Sequence, residues 1–293
     1  MKLMHLGQLA AVLVLFALFA MLLVVISGLR IAAPSLRVVG PAPDDLGAEA
    51  VTIPSRSGSL LRGWLVRGKP GAGAVVVLHG IRADRAKMLN RIRLLKEAGY
   101  SVLAIDLQAN GESPGKHITF GHLEALDAQA AVAFARERLP GNRVGAIGVS
   151  LGGAATLLGP QPLPVDALVL EAVFPDIDHA LANRLSFYLG PAGRLLAPLY
   201  LAIMPPFLGV HASELRPIDH IGEVVAPLLI IAGKADRYTP IDESRALFAR
   251  ARAPKQLWEV EGAGHVDFAA YAPDEYRRRV LDFFGEYLRL TPR

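Results

Sequence analysis

The sequence predicts an α/β chain built on a mainly parallel, doubly wound sheet, preceded by one N-terminal transmembrane helix. Three observations carry that expectation. Short apolar runs alternate with stretches of helical periodicity from residue 50 onward. The first 29 residues form an almost uncharged apolar block, and residues 174–223 interrupt the alternation without any strand.

The N-terminal block comes first. From Leu3 to Ile26 there is no Asp, Glu, Lys or Arg, and the apolar run continues to Leu29 before Arg30. As a helix, that stretch would reach about 40 Å, against about 30 Å of bilayer hydrocarbon. Residues 1–29 are therefore expected to be a retained membrane anchor. A cleaved signal peptide starting at Lys2 is the competing reading, and a soluble core helix the third. Signal h-regions usually run to roughly 7–15 residues, shorter than this one, and Ala32-Ala33 followed at once by Pro34 is a poor cleavage site. Lys2 on one side and Arg30 and Arg37 on the other leave the orientation open. Residues 30–49, with three prolines and Asp44-Asp45, read as a linker.

The domain expected over 50–293 begins with two strands, Ala50–Ile53 and Leu60–Val66, around the turn Ser57-Gly58. Val75–Leu78 is a continuous apolar run, as expected of a strand buried on both faces. Asp84–Ala98 has helical periodicity with Leu89, Ile92 and Leu95 inward, and Gly99 ends it. Strand Ser101–Ile105, helix Leu123–Leu139, strand Val144–Val149, a short helix at Ala154–Leu158 and strand Ala167–Leu170 follow. After the interruption come strand Val225–Ile231, helix Glu243–Ala251, strand Leu257–Val260 and a closing helix Pro273–Leu290. The interruption itself is too long for an ordinary loop and reads as a small helical lid over the strand ends. In such sheets ligands bind at the carboxyl ends of the strands.

Composition narrows the function. Apolar residues make up 52% and charged residues 20%, which permits a sizeable core and excludes bulk disorder. The 28 glycines and 21 prolines follow no period, so collagen-like and low-complexity chains are excluded. The absence of cysteine removes disulfides, thiol nucleophiles, iron–sulfur clusters and thiolate zinc sites. A net charge of +4 without a long basic run gives no reason to expect a nucleic-acid partner.

Three candidate residues then fall into one pattern. Gly148-Val149-Ser150-Leu151-Gly152 fits G-x-S-x-G where a strand meets a helix, the tight turn that presents a nucleophilic serine. Read blandly, Ser150 is only the N-cap of a helix after a Gly-rich turn. A serine nucleophile needs a base, and His265 follows the last strand in Gly262-Ala263-Gly264-His265. The base needs an orienting carboxylate, and Asp236 follows strand 225–231. The order Ser150, Asp236, His265 is one of the known triad orders, with each member in the loop after a different strand. Glu171, ending strand 167–170, is the competing acid; Asp267 is expected to face solvent. Tyr238-Thr239-Pro240 after Asp236 resembles the turn usually found there and favours Asp236.

On these residues, 50–290 resembles the α/β-hydrolase superfamily. Leu78-His79-Gly80-Ile81 resembles that family's His-Gly turn, which implies an oxyanion hole made by the backbone N–H groups of Ile81 and Leu151 and a structural role for His79. Asp106–Ser113 resembles the family's Asp-x-Arg-Gly-x-Gly-x-Ser stretch, but Gln108 and Ala109 replace Arg-Gly, so no role is carried over from that arginine. Within the superfamily the resemblance is to esterase and dipeptidyl-peptidase-like enzymes with short lids.

Other motifs lead nowhere. Gly63–Lys69 has the opening of a phosphate-binding loop, but Pro70 stands where Ser or Thr must bind magnesium. His122-x-Glu124 lacks the cysteines of zinc deaminases, and there is no H-E-x-x-H. Arg277-Arg278-Arg279 lies among acids, as on a solvated helix face. No metal and no cofactor are therefore implied. The expected activity is hydrolysis of a small or lipid-like carboxylic ester through an acyl-enzyme, with the anchor holding the site near lipid. In the lid, Leu195, Leu196, Leu199, Tyr200, Leu201, Ile203, Phe207 and Leu208 are candidates for an acyl pocket, or simply pack the lid. A serine peptidase or amidase with the same triad, and a non-catalytic membrane-bound scaffold, are the alternatives.

Overall fold

The computed structural model describes residues 2–290; Met1 and residues 291–293, where the expected anchor begins and the expected hydrolase domain ends, lie outside it. The chain opens with helix α1 (Lys2–Ala32), whose side chains are described at 8, 12–15, 18, 19 and from Met21 onward. Counted over those residues, no single helix is long and apolar enough to cross a membrane; the apolar stretch that remains is Met21–Ala32.

Strands β1 (Glu49–Pro54) and β2 (Leu60–Val66) form an antiparallel hairpin in which Glu49 faces Leu65 and Pro54 faces Leu60. Strand β3 (Ala74–Leu78) is buried at all five positions. Val76 and Leu78 enter the core on one face of the sheet, while Val75 and Val77 enter the core on the other. That alternation explains why the run carries no polar residue: both faces of the strand are covered.

Helix α2 (Leu89–Glu97) and strand β4 (Ser101–Ile105) come next, then helix α3 (His122–Arg138) and strand β5 (Val144–Val149). Helix α4 (Leu151–Leu157) leads to strand β6 (Ala167–Glu171). Helices α5 (Ile177–Leu189) and α6 (Ala197–Leu208) form most of the strandless region. Strand β7 (Leu228–Gly233), helix α7 (Ile241–Arg250), strand β8 (Lys255–Val260) and helix α8 (Pro273–Leu288) complete the domain. The eight strands lie in the order β8-β7-β6-β5-β3-β4-β2-β1, all parallel except β2, which is antiparallel to both of its neighbours. Helices α3, α4 and α7 pack on one face, α2 and α8 on the other.

The chain moves from β3 to β4 on one side and then returns to lay β5 on the other side of β3. This reversal opens a crevice at the carboxyl ends of β3 and β5, where Leu78 pairs with Gly148. The loops that follow the two strands are therefore neighbours.

Three elements differ from expectation. The helix expected from Asp84 begins as a 3-10 turn over Arg85–Met88: Asp84 accepts from the Ala86 N–H, and Arg85 turns inward to Asp106. The strand expected from Val225 starts only at Leu228, because Pro227 has no N–H to give the ladder. Residues 30–49, expected as a linker, are tied to the domain. Ser35–Leu36 pairs in parallel with Asn110–Gly111, the Val39 and Gly40 N–H groups donate to Glu112, and Leu46 is buried.

Candidate active site

The turn after β5 is built around an unfavourable backbone. Ser150 has φ 49° and ψ −109°, a region that L-residues rarely occupy and that costs on the order of 1–3 kcal/mol. The surrounding glycines make the turn possible. A Cβ on Gly148 would lie 2.5 Å from Gly153 Cα, one on Gly152 2.5 Å from the Leu78 carbonyl oxygen, and one on Gly153 2.2 Å from Val173 Cγ2. The Ser150 N–H donates to the Glu171 carbonyl at 2.8 Å, and the Ser150 carbonyl accepts from Ala154 at 2.9 Å. The side chain is thereby held at the end of the sheet.

The loop after β3 runs against it. Position 80 has room for a Cβ only 3.7 Å from Ser150 Cβ. His79 is fully buried and fixes this loop: its Nδ1–H donates to the Gly80 carbonyl at 2.7 Å, and its Nε2 accepts from the Leu107 N–H at 3.0 Å. Burial holds its pKa below the usual histidine value, consistent with a neutral ring that uses both nitrogens. Among the described residues, the backbone N–H groups of Ile81 and Leu151 donate to no acceptor in the protein, and both residues line the same pocket as Ser150.

Asp236 lies in the loop after β7 with its carboxylate fully buried. One oxygen accepts from the Tyr238 and Thr239 N–H groups at 2.7 and 2.9 Å. The other accepts from His265 Nδ1 at 2.7 Å. A carboxylate only accepts, so Nδ1 carries a proton, and the neutral ring has its free lone pair on Nε2. The His265 ring sits edge-on to Tyr238, with centroids 5.5 Å apart. The two loops interlock through the Ala235 N–H to Ala263 carbonyl bond of 2.9 Å. Among the described residues, Ser150 Oγ has no hydrogen-bond partner. His265 and Asp236 are thus joined directly, and the serine is not yet in bonding contact with the histidine.

The competing acids have other duties. Glu171 is buried against Arg91 and Tyr276, whose hydroxyl donates to it at 2.7 Å. Asp267, expected to face solvent, instead accepts from Arg91 Nη1 at 2.7 Å and from Asn90 at 2.9 Å, and caps the short helix Phe268–Tyr271. Its side chain is half-buried, so the solvent-facing expectation holds in part; spacing to His265 carries no sign of Arg91. Where the family stretch usually has arginine, Gln108 donates to Glu124 and to the His117 carbonyl, both at 2.7 Å. Asp106 is paired with Arg85.

A cavity of about 420 Å³ opens at Ser150, within the size range of small-molecule sites. Its walls come from the loop after β3, the serine turn, the lid helices α5 and α6, and the end of α1. Of the lid residues singled out in the sequence, Tyr200, Ile203, Phe207 and Leu208 line it. Leu195 and Leu199 face outward, while Leu196 and Leu201 pack in apolar clusters beside it. Among the lining residues that the sequence did not single out are Arg184 and Tyr188 of α5, and Gly28, Leu29, Ile31 and Ala32 of α1. The first carry no motif, and the second touch the lid only through tertiary packing.

This fold agrees with what the chain resembles. The model of the alpha/beta hydrolase family matches residues 75–279, and the chain belongs to that family. YqkD of Bacillus subtilis is 28% identical over 243 residues, covering 80% of this chain and 78% of the relative. YfhR of Escherichia coli is 27% identical over 261 residues, covering 85% and 84%. Among solved structures, the Pyrococcus furiosus esterase Pf2001 superposes with a TM-score of 0.73 at 25% identity, covering 88% of this chain and 98% of the esterase.

Proposed function

We propose that this chain is a membrane-anchored serine hydrolase that cleaves a carboxylic ester with an apolar acyl group. The observation that carries the reading is the strained Ser150 at the mouth of an apolar cavity, in the same loop cluster as a histidine oriented by a buried Asp236. The similarity to the Pyrococcus furiosus esterase supports ester chemistry.

In this mechanism Ser150 Oγ attacks the ester carbonyl carbon as His265 Nε2 takes its proton. Asp236 keeps the ring in the Nδ1–H tautomer and stabilises the imidazolium. The carbonyl oxygen, now negative, accepts from the Ile81 and Leu151 N–H groups. Collapse breaks the bond to the alcohol oxygen, which leaves with the proton from His265. Water then attacks the acyl-enzyme as His265 takes its proton; collapse breaks the acyl–Oγ bond, and His265 returns that proton to Ser150 Oγ as the acid is released. The largely apolar cavity wall favours an acyl chain over the polar backbone of a peptide amide.

The anchor is part of the same proposal. Helix α1 presents Val12, Leu13, Val14, Leu15, Leu18 and Phe19 to the outside, and Leu22, Leu23 and Ile26 further along. Such an outward apolar surface is what lipid, rather than water, would cover. Retention in the membrane pellet after alkaline carbonate extraction tests it; release into the supernatant would remove the anchor.

Intact-mass analysis after fluorophosphonate treatment tests the chemistry. One adduct is expected on wild type and none on Ser150→Ala. An adduct on both, or on neither while the wild type is folded, would overturn the assignment of Ser150.

A further inference from the structure

We propose that the last turns of helix α1 are a wall of the substrate pocket, and that Gly28 sets how long an acyl chain the pocket accepts. The inference rests on the esterase reading and deepens it: the substrate becomes an ester whose chain extends from Ser150 into the crevice between α1 and α6.

The cavity that Ser150 and Leu151 line is also lined by Gly28, Leu29, Ile31 and Ala32. Ile203 of α6 lines the same space and lies against α1 at Gly28. A Cβ built on Gly28 would fall 2.8 Å from Ile203 Cδ1 and 3.5 Å from Tyr200 Cδ1. Any side chain at 28 must therefore displace Ile203 or occupy the crevice itself. Glycine is a poor helix former, so its presence inside α1 calls for a packing reason, and this approach supplies one.

The wall is also fixed in place. Ser27 Oγ and Tyr200 OH share a hydrogen bond of 2.6 Å across the α1–α6 contact. Arg82 Nη1 donates to the Arg30 and Ala33 carbonyls at 3.2 and 3.1 Å, and the Ile118 N–H donates to the Ala32 carbonyl at 2.8 Å. Arg82 directly follows Ile81, so one loop holds both the helix end and the proposed oxyanion donor. A helix serving only as a tether would need none of these bonds.

A chain methylene buried in such a crevice is worth about fourfold in kcat/KM, until the wall is reached. The test measures kcat/KM for 4-nitrophenyl esters from acetate to palmitate with the full-length protein in detergent, and reads the decanoate-to-acetate ratio. Gly28→Leu is expected to lower that ratio at least tenfold, and Ile203→Ala to raise it or move the optimum to longer chains. Ile203→Ala only removes atoms, so it decides the matter if Gly28→Leu fails to fold. Ratios within twofold of wild type in the folded variants would overturn the proposal while leaving the esterase reading intact. Turnover surviving in Ser150→Ala, or no turnover of any ester by wild type, would instead overturn the esterase reading and this one with it.

Discussion

Arg91, in the first turn of α2, grips Glu171 at the end of β6 with two hydrogen bonds, Nε at 2.9 Å and Nη2 at 2.5 Å. Both side chains are buried. The third arm of the guanidinium reaches Asp267, two residues beyond His265, while the backbone carbonyl of Glu171 receives the Ser150 N–H. One arginine thus braces the serine turn and the histidine loop from beneath.

Removing that arginine strands a carboxylate in the core. Arg91→Met should cost about 3–5 kcal/mol, because the remaining charge has no water to turn to. At roughly 2–4 °C per kcal/mol, the melting temperature should fall by about 6–20 °C. A thermal melt within two degrees of wild type would show that the pair carries little.

Asp236→Asn should leave the fold intact and remove most of the turnover. An amide in place of the carboxylate puts an N–H against His265 Nδ1 or weakens the turn at Tyr238 and Thr239, and it no longer selects the Nδ1–H tautomer. The expected loss in kcat is roughly 10³–10⁴-fold, with an unchanged circular dichroism spectrum. A loss under tenfold would remove Asp236 from the triad and reopen the choice of acid.

Burial pushes Asp127 up to about 7, even though Ser55, Ser57 and the Gln108 N–H donate to it. Its ordinary value is 3.8, so between those two pH values the folded state holds a proton that the unfolded chain releases. Stability then falls as pH rises through that window, by up to about 1.4 kcal/mol per unit, and levels off above it. Relative to Asp127→Asn, wild type should lose roughly 5 °C in melting temperature between pH 5 and pH 8. Parallel pH profiles for the two proteins would contradict this.

The φ of 49° at Ser150 makes a prediction about stability alone. Glycine accepts that backbone and alanine does not, so Ser150→Gly should be more stable than Ser150→Ala by about 1 kcal/mol. Both should be inactive. Comparing their denaturant midpoints measures the strain that position 150 carries.

The strands were legible because each is a short apolar run bounded by turn residues, and the loops bearing Ser150, Asp236 and His265 could be placed from the strands they follow. His265 and Asp236 could be linked because strand ends converge in a parallel sheet. Arg91 was not legible: its partners lie 80 and 176 residues away, and an arginine inside an amphipathic helix looks like any solvated one. Nor could the sequence show that Gly28 meets Ile203, because the apolar block at the N-terminus reads the same whether it stands apart or packs on a lid. Pairing of Ser35–Leu36 with Asn110–Gly111 escaped for a similar reason, since two-residue strands leave no periodicity to detect.

The crowded glycines at 148, 152 and 153 sort the possible inactive descendants of this chain into two kinds. On the proposed triad, changes at 236 or 265 would leave a folded molecule whose chemistry is silent, still able to occupy its place and compete for whatever the pocket holds. Changes at the glycines strike the backbone scaffold of the turn, so the molecule would lose shape along with chemistry. A lineage that abandoned hydrolysis but kept binding would therefore be expected to retain its glycines long after its histidine had drifted.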